Sequence, residues 1–211
     1  MPLPDPATRS RLHERRLSID GYQRADGLFD IEGHIIDTKT YDFDSQWRGE
    51  VAAGVPVHEM WLRLTIDSSL TIRAVAAETD YGPFPPCYQV APNFQRLEGL
   101  RIGPGWMRKV RERVGGIEGC THINEMLAQI ATTAFQTMVR HWEAQRRKRK
   151  AEAKAKGEIS APGRRPPMIG SCYALAADGP IVEKMWPEFY TGEDITGEDS
   201  KKTPNSATRD T

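Results

Sequence analysis

One apolar stripe constrains this chain more than any other feature. Ile123, Met126, Leu127, Ile130, Ala131, Ala134, Phe135, Met138, Val139 and Trp142 recur at three- and four-residue spacing. That spacing marks a long helix with a single buried face. Such a helix must lie on another apolar surface. Past Trp142 the stripe ends, and residues 145–156 are rich in Lys, Arg, Ala and Glu, which reads as a solvated helical extension.

Upstream segments supply the opposing surface. Residues 28–38 alternate loosely between apolar and polar types. The run at 57–66 is cleaner, with Val57, Met60, Leu62, Leu64 and Ile66 apolar. Asp67-Ser68-Ser69 is a turn cluster, after which residues 70–79 alternate again. These runs predict a three-stranded antiparallel meander packed against helices, an α+β fold with a long C-terminal helix. The corner Tyr81-Gly82-Pro83-Phe84-Pro85-Pro86-Cys87 ends the last strand, because proline cannot donate to a ladder. Short helices are expected over residues 91–97 and 106–114, the second closed by Gly115-Gly116. Thr121 is the expected N-cap of the long helix.

Composition sets the outer limits. The chain has 211 residues, of which 38% are hydrophobic, and a mean hydropathy of -0.58. These values fit one ordered domain with polar ends. The expected divisions are a disordered lead-in at 1–10, a single α+β domain at 11–156, a linker and returning segment packed on it at 157–190, and a disordered tail at 191–211. Within the third division, residues 168–176 read as a returning strand and Asp178-Gly179-Pro180 as a turn. Lys plus Arg and Asp plus Glu both number 29, so a nucleic-acid partner is not expected, despite the local basic run Arg146-Arg147-Lys148-Arg149-Lys150. Neither a membrane span nor a signal peptide is expected, and three cysteines suit a reducing, cytoplasmic setting with free thiols.

Those thiols and five histidines are the chemically capable groups. Cys120 precedes the long helix, where the positive helix end favours a thiolate, and His122 follows two residues later. Cys87 leaves the proline corner on a rigid loop, and alternation turns His58 to the same face as Met60 and Leu62. Each alone is also what a packed cysteine or a core histidine looks like. Together, a strand, a post-strand loop and a helix start can converge at one end of a two-layer domain. His58, Cys87, Cys120 and His122 then form a nitrogen–sulfur set suited to Zn or Fe. Cys172 is a possible substitute on a strand that reads as buried.

Four segments carry a family resemblance: Gly21-Tyr22-Gln23-Arg24-Ala25-Asp26-Gly27, Gly54-Val55-Pro56-Val57-His58-Glu59-Met60, Gly103-Pro104-Gly105-Trp106 and Gly119-Cys120-Thr121-His122. In combination they resemble a bacterial family known as domain of unknown function 2889, over about residues 11–190. The family has no assigned reaction, and the resemblance implies a setting among aromatic or steroid breakdown genes. Residues 54–87 more distantly resemble the meander of iron–sulfur scaffold proteins of the NifU and IscU type. That comparison implies that Cys87 matches their loop cysteine and Cys120 their helix-start cysteine. Their first cysteine falls near Pro56 and is missing, their acidic ligand falls at or beside His58, and His122 is additional. Replacing thiolate by imidazole implies a mononuclear Zn or Fe site in preference to an iron–sulfur cluster.

The leading expectation is therefore a metal-dependent enzyme acting on a small molecule. It would be a lyase, including decarboxylation or deformylation, or a hydrolase, working on an aromatic-derived or acyl-CoA-linked catabolic intermediate. Glu59, Asp37 and Arg24, with Asp26 and Lys39, are polar candidates for a general base or an anion clamp. Tyr81, Tyr88 and Trp106 are candidates for an aromatic pocket wall. The alternatives are a non-enzymatic iron–sulfur, sulfur or metal carrier, and a metal-free thiol nucleophile at Cys120 activated by His122 or His58. The long helix offers a homodimer contact.

Overall fold

Alternation along four segments, and one amphipathic helix to cover them, produce the observed architecture. A computed structural model describes residues 3–156, 165, 166 and 168–192. Strands β1 (His13–Gln23), β2 (Phe29–Lys39), β3 (Phe43–Ser45), β4 (Gly49–Val51), β5 (Pro56–Ile66) and β6 (Ile72–Tyr81) precede helices α1 (Trp106–Val114), α2 (Thr121–Ala155) and α3 (Pro180–Met185). β1, β2, β5 and β6 form an antiparallel sheet in that order, and β3 and β4 pair as a small hairpin between β2 and β5.

The sheet thus has four strands where three were expected. β1 pairs with β2 along its full length, from His13 opposite Lys39 to Gln23 opposite Phe29. It escapes a hydrophobicity pattern because it is an edge strand carrying mostly exposed residues. Backbone pairing, with charged edge residues, makes it a strand.

Every second residue of β2 is buried, and Met60, Leu62, Leu64 and Ile66 of β5 face the same way. Against that face lie Ile123, Met126, Leu127, Ile130, Ala134 and Met138 of α2, and the core extends to Trp106, Val110 and Val114 of α1 and to Phe94, Leu97, Leu100 and Ile102 before it. Two glycines set how closely α2 approaches. A Cβ on Gly33 would stand 3.0 Å from Ile130 Cδ1, and one on Gly21 would stand 1.9 Å from Thr137 Oγ1. The helix direction follows from its ends. His141 meets Phe29 edge-on at 5.2 Å, and Trp142 Nε1 donates to Ser68 O at 3.2 Å. The start of α2 therefore lies at the opposite end of the sheet, where β2 finishes and β5 begins.

The chain divides into two compact units, residues 1–152 and 153–211. The whole hydrophobic cluster belongs to the first. In the second, residues 168–176 are turns and a 3-10 segment (Tyr173–Leu175), so the expected strand is absent there. Met168-Ile169-Gly170 turns on a glycine with φ of +84°, and Cys172 is exposed. An apolar run this short, interrupted by Gly170 and Ser171, has no neighbouring ladder to join. Residues 178–180 turn into α3 as expected. The expected linker at 157–164 and the tail from 193 onward lie outside the described residues. Residues 3–12 carry no regular secondary structure and are exposed.

Candidate metal centre

Pairing register delivers the first two groups. Asp37 of β2 sits opposite His58 of β5, both on the helix-covered face, immediately before a register shift at Asp37/Thr38. The start of α2 adds His122. One ligand atom from each of Asp37, His58 and His122 lies within 4.8 Å of the others. Asp37 Oδ2 is 3.1 Å from His58 Nδ1 and 3.8 Å from His122 Nε2, and the two imidazole rings face each other at 3.8 Å with a 30° tilt. Ligands about 2.0–2.1 Å from one tetrahedral ion stand roughly 3.4 Å apart, so the observed spacings bracket what a single ion requires.

Asp37 is 1% exposed, and a bare carboxylate there would be costly. Burial resists its ionisation, but the Arg15 guanidinium overrides this, with help from His58 and His13, and the carboxyl is held below its ordinary range. Arg15 binds it through two parallel hydrogen bonds, Nε to Oδ1 and Nη2 to Oδ2, both 2.7 Å. Arg15 Nη1 also donates to Glu125 Oε2 at 2.5 Å, tying β1 to α2. His13 Nε2 stands 3.4 Å from Asp37 Oδ1.

Both imidazoles titrate below the ordinary histidine value. For His58 the main cause is burial, followed by repulsion from His122, against the pull of Asp37. For His122 it is burial and then Arg15. Neutral imidazole is the ligating form, so desolvation prepares both rings to bind a cation.

The expected ligands and bases distribute unevenly. Cys120 Sγ is 3.9 Å from His122 Nδ1 and 4.0 Å from Met60 Sδ. It therefore approaches the opposite nitrogen of His122 from Asp37, and one ion cannot use both sides of that ring at once. Its thiol is pushed up by burial, which outweighs the N–H groups of Ile123 and His122 aimed at it. That corrects the expected thiolate: the helix end is favourable, but the sulfur is too desolvated to exploit it. Thr121 is the first helical residue, and Cys120 takes the cap position, its carbonyl accepting from Asn124 N at 2.9 Å. Cys87 lies in the 3-10 turn Pro85–Gln89 beside Gly82, outside the Asp–His–His group.

Glu59 points to the open face of the sheet, one residue out of phase with His58, and meets His34 Nε2 at 3.0 Å. Arg24 sits in the β1–β2 turn, paired with Asp26 at 2.7 Å. Nine residues of strand, about 30 Å, separate it from Arg15, so it belongs to the far end of the sheet. Trp106 is buried in the core, its Nε1 donating to Leu127 O at 3.4 Å. Tyr88 OH bonds the backbone of Gly82. Sequence reasoning missed Arg15 and His13. Their signal was the alternation His13-Arg15-Leu17-Ile19, hidden inside a run dominated by charge.

The chain belongs to the family described as protein of unknown function DUF2889, which it matches over residues 13–136. That span holds every residue of the Asp37–His58–His122 group and its Arg15 support. No curated protein and no solved structure matches the chain. No helix among the described residues is long and apolar enough to cross a membrane.

Proposed function

We propose that this member of the family is an enzyme that uses one Zn or Fe ion, held by His58, His122 and Asp37. The observation that carries the reading is the convergence of these three side chains within 4.8 Å. Two imidazoles and one carboxylate, with positions left open, is a ligand set that suits Fe(II) as well as Zn. Arg15 would fix the carboxylate, as outer partners of metal ligands do. An ion with an open position polarises a carbonyl, or stabilises an enolate or phenolate. That chemistry serves a lyase or a hydrolase, and an aromatic-derived or acyl-CoA-linked catabolic intermediate is the substrate class we favour. Exposed aromatic rings at the same end of the sheet support it: Tyr41, Tyr81, Phe84 and Tyr88 are all solvent-accessible. Lys39 Nζ stands 4.2 Å over the Phe43 ring and 5.1 Å over that of Tyr41, with no carboxylate partner within 4.0 Å among the described residues.

Elemental analysis of untagged protein tests this. The expected result is about one Zn or Fe per chain, lost in His58→Ala and His122→Ala. Metal retained in both variants would overturn the assignment. An iron–sulfur carrier on a NifU- or IscU-type fold is less favoured, because soft thiolates do not dominate this group. Brown protein with acid-labile sulfide would reinstate it.

A metal-free reading also has a specific observation. Cys120 Sγ, His122 and Asp37 form a chain with gaps of 3.9 and 3.8 Å, the order of a nucleophile, base and orienting acid. The raised thiol pKa argues against it. Stoichiometric alkylation of Cys120 at neutral pH in metal-free protein would favour it.

A further inference from the structure

The neutral total charge conceals two opposed surfaces. The sheet face away from the helices is open. Across it run the cross-strand rows Asp20–Glu32–Arg63–Ala76 and Ser18–His34–Trp61–Glu78. Glu32 is matched by Arg63 at 2.6 Å and Glu59 by His34. Among the described residues, Asp20, Glu78 and Asp80 have no cationic partner within 4.0 Å, and Asp80 accepts instead from Trp61 Nε1 at 2.8 Å. Beside Glu78 is a depression of about 280 Å³, lined also by Glu32, Trp61 and Arg63. Its aromatic wall is Trp61, 41% exposed and backed by the parallel His34 ring at 3.6 Å. A partly exposed indole with Glu78 and Asp80 beside it is a receptor for a guanidinium or ammonium group.

The matching cations are on α2. Residues 143–152 are exposed on every side and polar all round, with no covering partner among the described residues. Among the described residues, Arg146, Arg147, Arg149 and Lys150 have no acidic partner within 4.0 Å, whereas Lys148 pairs with Glu152 at 4.0 Å.

We propose that the basic segment of α2 docks on the acidic open sheet face of a second copy of this chain, with an arginine seated against Trp61 beside Glu78 and Asp80. Charge complementarity selects that occupant. Among the described residues, neither the cations nor these carboxylates find a partner of opposite charge within one copy, and both are satisfied when two copies exchange them. The contact is reciprocal, each copy giving its helix and receiving its partner's. Because the surfaces are exposed and charged, the association is strongly salt-dependent.

Two charge-reversed variants test this with the full chain. In one, Arg146, Arg147, Arg149 and Lys150 are each changed to Glu. In the other, Asp20 and Glu78 are changed to Lys. Sedimentation velocity at about 20 mM NaCl is expected to find dimer for the natural chain, dissociating by about 500 mM, and at least tenfold weaker association for each variant. A one-to-one mixture of the two variants is expected to dimerise again, since every helix then meets a sheet of opposite charge. That recovery also shows that both variants fold. A natural chain that stays monomeric at low salt overturns the proposal, as does association that either variant leaves unchanged, or variants that fail to recover when mixed. If the natural chain is monomeric but binds duplex DNA through the four cations, the helix serves nucleic acid and the proposal is wrong.

Discussion

Asp37 carries more of this molecule than any other side chain. It is almost fully buried, takes both arms of Arg15 and faces two histidines. Replacing it with alanine removes a ligand and leaves Arg15 without its principal partner. Asp37→Ala is expected to cost about 3 kcal/mol in urea denaturation, within the range for breaking a buried pair, and to abolish metal binding. Asp37→Asn keeps the shape but loses the charge, so it is expected to retain more stability than alanine while still losing the metal.

A second carboxylate gives a pH prediction. Asp67 closes the turn between β5 and β6. Burial works against its ionisation, but hydrogen bonds from Ser69 Oγ, Ser69 N and Thr71 N, and the Arg73 guanidinium, outweigh it, and its pKa falls to about 2. A lowered folded-state value means that ionised Asp67 stabilises the fold above the unfolded carboxyl value near 4, and that this contribution disappears as pH falls toward 2. The contribution is on the order of 2 kcal/mol. Comparing natural and Asp67→Asn chains by thermal denaturation between pH 7 and pH 2 is expected to show a gap that closes over that window. A gap independent of pH would contradict it. The same turn holds Leu70 at φ of +66°, a conformation that a leucine keeps only when its surroundings fix it.

At the scale of elements, the packing of α2 on the sheet rests on two missing side chains. Gly21→Ala would drive a Cβ into Thr137 and is expected to cost about 1–3 kcal/mol, with part of it recovered in the Gly21→Ala/Thr137→Ala double variant. Chemical denaturation of the four chains of that cycle measures it. Elements that bury one face were legible in the sequence. The stripe from Ile123 to Trp142 became α2, residues 106–114 became α1, and residues 57–66 became the core of β5. β1 was not legible, because its stability comes from pairing and its side chains stay largely in water. The same blindness affected the site. His58 and His122 could be picked out as residue types near element ends, and alternation put His58 on the inner face. Nothing in the sequence told which nitrogen of His122 would meet which neighbour, so Cys120 and Cys87 stood level with the histidines. Asp37 was read as a base, and its place opposite His58 depends on strand register, which hydrophobic pattern fixes only in phase.

The molecule as a whole divides its work. The hydrophobic cluster and the Asp–His–His group both lie in the first unit, before residue 153. A chain ending at Glu152 is therefore expected to melt cooperatively and to bind the same quantity of metal as the full chain. Loss of cooperativity on truncation would show that residues 153–211 complete the core. The charge of the first unit is segregated, with acids on the open sheet and bases on the far end of α2, so zero net charge does not mean a uniformly neutral surface.

On the proposed reading, one ion links strand β2, strand β5 and the start of α2. An anomalous-scattering map from crystals grown with Zn or Fe decides whether it does. A single peak about 2.0–2.2 Å from a ring nitrogen of His58, a ring nitrogen of His122 and a carboxylate oxygen of Asp37 is the predicted result. A map with no peak there, or with the ion held by the sulfurs of Cys87 and Cys120 away from both imidazoles, would contradict it.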